Sequence, residues 1–140
     1  LSRQNLPQLS KNISEADVMR GGYILSDCDG KPDAILIATG SEVGLAMQAQ
    51  ESLRAKGKSV RVVSMPCTSV FDRQDQSWHA NVLPSGIKRI AIEAGHPDLW
   101  WKYVGLDGAV VGINRFGESA PAAAVYKALG VTVERIVELV

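Results

Sequence analysis

Ala34-Ile35-Leu36-Ile37-Ala38 is apolar at every position. A strand with one face in water alternates apolar and polar residues. A strand without a polar position buries both faces, as the inner strands of a parallel sheet do when helices cover them. The next segment supplies such a helix. Thr39-Gly40-Ser41-Glu42 makes a turn, and Val43, Ala46, Met47 and Leu53 then repeat at helical spacing. Glu42, Gln48, Glu51 and Arg54 fall elsewhere on the wheel, and Gly57 ends the helix.

The same alternation runs through the chain. Tyr23-Ile24-Leu25 predicts a short strand that closes in the tight turn Asp27-Cys28-Asp29-Gly30-Lys31-Pro32. Val60 to Met65 reads as a strand stopped by Pro66, Arg89 to Ala94 as another, and Ala109 to Ile113 as a fifth. Between them, residues 67–87 predict a loop and a short helix around Arg73 to Val82, and Leu99 to Val104 one or two helical turns. Residues 6–20 are a polar connector with one short helix, begun by Ser14 and Asp17 and stopped at Arg20-Gly21. Near the end, Ser119 is expected to cap a helix with Pro121 in its first turn. Ala124, Val125, Ala128 and Leu129 are its expected buried stripe, and Gly130 its stop. Thr132 caps a last helix carrying Val133, Ile136, Val137 and Val140. Strands alternating with helices predict an α/β sandwich with a mostly parallel sheet.

Charge and composition narrow the function. Lys+Arg is 15 and Asp+Glu is 15 in 140 residues, a neutral balance that argues against nucleic acid as a partner. No apolar run approaches the roughly 18–20 residues of a membrane span. Two cysteines are too few for a disulfide-stapled scaffold. The chain starts at Leu1 without a signal-peptide pattern and reads as a fragment of a longer protein.

The usual signatures of a complete active site are missing. There is no G-x-S-x-G elbow, no P-loop and no G-x-G-x-x-G after a strand. His79 and His96 lack an adjacent cysteine or second histidine, so metal-ligand spacing is not met, and His79 reads as a surface or loop residue. Thr39, Gly40 and Ser41 stand where free N–H groups and a helix dipole can hold an anion. The competing reading is that Ser41 caps the helix and Gly40 makes the turn; Glu42 favours it by placing negative charge where an anion would sit. Glu93, Gly95 and His96 follow the fourth strand, and ligands in open α/β sheets bind beyond strand carboxyl ends where the strand order switches. As a plain loop, the same stretch ends with Asp98 capping the next helix. Trp100, Trp101 and Tyr103 fit core packing or a subunit contact better than base stacking. Arg3, beside Gln4 and Asn5, suits forked recognition of phosphate or carboxylate.

Taken in order, these landmarks resemble a known family. Leu1-Ser2-Arg3-Gln4-Asn5-Leu6-Pro7 resembles the end of the pyrimidine-binding domain of transketolases. Ala38-Thr39-Gly40-Ser41-Glu42-Val43, Val62-Val63-Ser64-Met65-Pro66, Glu93-Ala94-Gly95 and Phe116-Gly117-Glu118-Ser119-Ala120-Pro121 resemble successive landmarks of the bacterial-type transketolase C-terminal domain. The resemblance implies that residues 1–20 end the pyrimidine-binding domain and link it to a C-terminal domain over residues 21–140. It implies a three-layer α/β/α sandwich whose five-stranded mixed sheet has the order 1-3-2-4-5 with the first strand antiparallel. Gly40 and Gly95 then meet at the switch in strand order.

The family's reaction moves a two-carbon ketol unit between sugar phosphates in the pentose phosphate pathway. It uses thiamine diphosphate with Mg²⁺ (or Ca²⁺), held by domains upstream of this one, in a cytoplasmic homodimer. The resemblance therefore assigns no catalytic and no metal-binding residue to this chain. It gives Arg3 the phosphate of the sugar substrate and leaves Thr39, Gly40, Ser41, Gly95 and His96 as a candidate regulatory crevice. A stand-alone nucleotide- or anion-binding module is the alternative, and an assembly domain of another thiamine enzyme a third reading. In the implied fold Cys28 and Cys67 lie at opposite ends of neighbouring strands. A strand spans roughly 20 Å, too far for a disulfide, so both thiols are expected free.

Overall fold

The consequence of an all-apolar strand is visible at once in the computed structural model, which describes residues 6–8 and 13–140. All five residues of β2 (Ala34–Ala38) are fully buried. Leu36 and Ala38 face one core, and Ile35 and Ile37 the other. Strand β2 therefore sits in the middle of the sheet, between β3 (Val60–Ser64) and β4 (Lys88–Ile92), and is parallel to both. The fifth strand, β5 (Ala109–Val111), adds in parallel to β4. The first, β1 (Tyr23–Ser26), adds antiparallel to β3, with Tyr23 opposite Ser64. The order is β1-β3-β2-β4-β5, as the resemblance implied.

Helices fill both faces. The long α2 (Glu42–Ala55) and the last helix α7 (Val133–Glu138) cover one, through Val43, Ala46, Ala49, Leu53 and Ile136. The other is covered by α3 (Thr68–Phe71), α4 (Gln76–Val82) and α5 (Asp98–Val104), through Phe71, Val82, Trp100 and Tyr103. The remaining helices, α1 (Glu15–Val18) and α6 (Ala122–Leu129), bury none of their residues fully.

Two positive-φ glycines flank β1. Gly30 has φ +73° in the β1–β2 turn. Gly21 (φ +80°) lies between α1 and β1, where a Cβ would meet the Cys67 carbonyl and come within 2.7 Å of the Phe71 nitrogen.

Five local expectations are corrected. The loop after β3 holds two helices rather than one, because Thr68–Phe71 forms a turn around the buried Phe71. Asp98 is the first residue of α5 and Pro97 its cap. Pro121, not Ser119, occupies the cap of α6. Along α6, Ala124 and Ala128 are exposed while Val125, Tyr126 and Leu129 are partly buried. The helix is turned toward Tyr126, whose hydroxyl donates to the buried Glu42 carboxylate, and that contact swings the alanines outward. His79 is no loose surface residue: it lies in α4, its ring 4.7 Å from that of Phe71 and its Nε2 2.7 Å from the Phe71 carbonyl.

Candidate functional site

The carboxyl ends of β2, β3 and β4 meet where the strand order switches, the place open α/β sheets reserve for ligands. Thr39 and Gly40 leave β2 here, Met65-Pro66-Cys67 leave β3, and Glu93-Ala94-Gly95-His96 leave β4. Because Ala38 stands opposite both Ser64 and Ile92, the three exits are level.

The turn after β2 is organised around a buried carboxylate. Glu42 is 4% exposed, at the first turn of α2, where the helix dipole favours negative charge. Ser41 Oγ donates to its Oε1 at 2.8 Å and lies 3.2 Å from the Tyr126 hydroxyl, which donates to the same oxygen. Ser41 thus does not cap α2: its backbone is already helical and its side chain serves Glu42. The carboxylate occupies the place an anion would need.

The five candidate crevice residues are not brought to one place. Gly40 and Ser41 line a cavity of about 300 Å³ with Leu6, Tyr23, Leu25 and Val43. Thr39, Gly95 and His96 line another, of about 440 Å³, with Cys67, Glu93 and Trp100. Among the described residues, neither has a lysine or arginine in its lining. In the second, burial raises the pKa of Glu93, and the neighbouring Glu42 charge adds to the rise. His96 Nδ1 is 3.4 Å from the Asp98 carboxylate, with both side chains exposed.

Sequence reasoning passed over Cys67, Thr68 and Trp100 as members of this crevice. The signal was available: Pro66-Cys67-Thr68 leaves a buried strand at the same end as Gly40 and Gly95. Cys67 is exposed, and its thiol pKa is lowered by the Ser69 hydroxyl 3.4 Å away and then by the Val70 N–H. Both cysteines are free, with Cys28 at the far end of the sheet. Of the aromatics, Trp100 and Tyr103 are core residues and Trp101 is exposed. Arg3 lies outside the described residues. Among the described residues no three of His, Cys, Asp and Glu converge to hold a metal ion.

Comparison with known proteins places this arrangement. The Transketolase-like TK C-terminal domain family matches residues 21–132. The chain belongs to this family. Transketolase 1 of Vibrio vulnificus (strain YJ016) is 57% identical over 138 residues, covering 97% of this chain and 21% of the relative. Transketolase 1 of Pasteurella multocida is 58% identical over 142 residues, 98% of this chain and 21% of that protein. Among solved structures, Pichia stipitis transketolase in complex with sedoheptulose 7-phosphate superposes with a TM-score of 0.88 at 38% identity, over 97% of this chain and 19% of that one. Leishmania mexicana transketolase gives 0.81 at 40% identity, over 88% and 18%. The chain spans about a fifth of the length of the curated relatives it matches.

Proposed function

We propose that this chain is the C-terminal part of a transketolase, an enzyme that transfers a two-carbon ketol unit from a ketose phosphate to an aldose phosphate. The observation that carries the reading is the 57% identity running over 97% of this chain and 21% of a curated transketolase. Residues 1–20 then end the pyrimidine-binding domain and form its linker, and residues 21–140 are the C-terminal domain. Thiamine diphosphate supplies the carbon–carbon chemistry when bound. With Mg²⁺ (or Ca²⁺), it belongs to the upstream domains of a cytoplasmic homodimer. This domain's share is then structural.

Within that enzyme Arg3 holds the sugar phosphate, as the S-R-Q-N stretch implies. A hydrogen bond to a charged group contributes roughly 1.5–3 kcal/mol. In the full-length protein, Arg3→Ala is therefore expected to lower kcat/KM for phosphorylated sugars roughly ten- to a hundredfold. A non-phosphorylated donor should be nearly unaffected, and an equal fall for both substrates would remove the assignment. The coding sequence upstream of Leu1 tests the whole reading: it must carry a thiamine-diphosphate motif, and without one the proposal fails. The alternative, a free-standing anion-binding module, is less favoured, since among the described residues neither cavity at the strand ends has a lysine or arginine in its lining.

A further inference from the structure

Arg89, near the start of β4, carries a charge that no carboxylate answers. It is partly buried, and among the described residues it forms no ion pair. Its guanidinium donates to the backbone carbonyls of Leu83, Pro84 and Tyr103, and its Nε is buried without a partner. Carbonyl dipoles offset part of a buried charge but do not neutralise it. Burial accordingly lowers the arginine pKa, with no neighbouring anion to raise it again.

The same residue lines a cavity of about 400 Å³ between α3, α4, α5 and the entry to β4. Unlike the two cavities at the strand ends, this one has both an arginine and a lysine in its lining. Its carboxylate, Asp72, is already engaged. Lys102 Nζ holds one oxygen at 2.7 Å and the Tyr103 hydroxyl the other at 3.0 Å. Arg89 and Lys102 against Asp72 leave one net positive charge in the lining, histidine being neutral at pH 7. Much of the remaining wall is aromatic. The Phe71 and Tyr103 rings are 6.2 Å apart, and the His79 ring lies 4.7 Å from that of Phe71. Gln76 and Ser85, both exposed, add an amide and a hydroxyl.

A single positive charge beside aromatic faces, in a pocket of small-molecule size, selects an organic monoanion with a flat apolar body. We propose that this cavity binds a small aryl carboxylate, its carboxylate drawn to Arg89 and its ring set against Phe71, His79 and Tyr103. A sugar phosphate fits less well, because its body is polar and its charge exceeds that of the lining. The proposal does not rest on the transketolase reading.

Lys102, its side chain 60% exposed, reports on the cavity through its amine. The full-length protein is acetylated with an N-hydroxysuccinimide ester and read lysine by lysine by peptide mass spectrometry, with benzoate, benzamide or acetate present. Millimolar benzoate is expected to slow Lys102 at least fivefold. Lys56 and Lys127, exposed elsewhere, should stay within twofold of their free rates. Benzamide keeps the ring without the charge, and acetate keeps the charge without the ring, so each should leave Lys102 within twofold of its free rate. Two substitutions at exposed lining positions localise the effect: Ala80→Trp fills the cavity, and Ser85→Asp gives Arg89 a carboxylate of its own. Either should abolish protection by benzoate while the far-ultraviolet circular dichroism is unaltered. No protection by benzoate, or equal protection by benzamide, would overturn the proposal. Equal protection by acetate would show an adventitious ion only, and protection that survives both substitutions would put benzoate elsewhere; each overturns it. A Lys102 that fails to react in the ligand-free protein would show the cavity covered and overturn it as well.

Discussion

Tyr103 shows how burial and one partner combine at a single residue. Its hydroxyl donates to Asp72 Oδ1 at 3.0 Å, and Lys102 Nζ holds the other carboxylate oxygen at 2.7 Å. Burial, then the Asp72 bond and charge, push the phenol pKa up to about 12. An unfolded tyrosine ionises near pH 10. The stabilisation from keeping Tyr103 neutral is therefore complete below about pH 10 and lost as pH rises toward 12. Titration at 295 nm should show one tyrosine ionising about two units late, and Tyr103→Phe should remove that component; a titration more than about nine-tenths complete by about pH 11 would contradict the assignment. Asp72 has the opposite sign. The Lys102 hydrogen bond holds its pKa below the usual carboxylate value, so its contribution is present above that value and fades as pH falls through the lowered one. A third of the Asp72 side chain is in water, which keeps that contribution small. Neither shift was legible in the sequence, since Asp72 and Tyr103, 31 positions apart, are brought together by the packing of α3 against α5.

At the scale of elements, Arg89 joins three pieces. It stands near the start of β4, and its guanidinium donates to Tyr103 O at 2.9 Å, Leu83 O at 2.8 Å and Pro84 O at 3.1 Å. Two of these carbonyls belong to the last turns of α4 and α5, the negative ends of their dipoles. Two helix ends thus take the part of a counter-ion, and the buried Nε is left without a partner. Arg89→Met should cost roughly 2–3 kcal/mol, because charged hydrogen bonds are lost and carbonyls are left to find water. Arg89→Lys should fall between, since an ammonium cannot span the fork. Urea midpoints would show this, with the exposed neighbour Lys88→Met as a near-neutral comparison. The elements themselves were readable: all five strands and the helices after β2 and β4 announce themselves through apolar runs and periodicity. The short α3 was not, because four residues around one buried phenylalanine carry no period. The rotation of α6 escaped for another reason: Ala124, Val125, Ala128 and Leu129 make a credible stripe until Tyr126 is known to reach Glu42.

For the molecule as a whole, β2 lies at the centre of the sheet that separates the two cores, with β3 and β4 also facing both. Leu36 and Ile37 are both fully buried, on opposite faces. Truncating either to alanine should cost about 2–5 kcal/mol. If the sheet couples the faces, both variants lower one shared transition. Near-ultraviolet circular dichroism, which follows Trp100 on one face, should then melt together with the far-ultraviolet signal. Two separated transitions would show the faces to be independent.

The sequence alone determined the alternation of strand and helix, the central place of β2 and the likeness to the transketolase C-terminal domain. All of these rest on local periodicity and short motifs, which neighbours along the chain suffice to set. Tertiary structure decided what surrounds the strand ends. It buried Glu42 against a tyrosine 84 residues away. It turned Thr39 and Gly40, adjacent in the chain, into separate cavities. Those outcomes depend on contacts between distant segments, and a contact of that kind leaves no mark in the residues on either side of it.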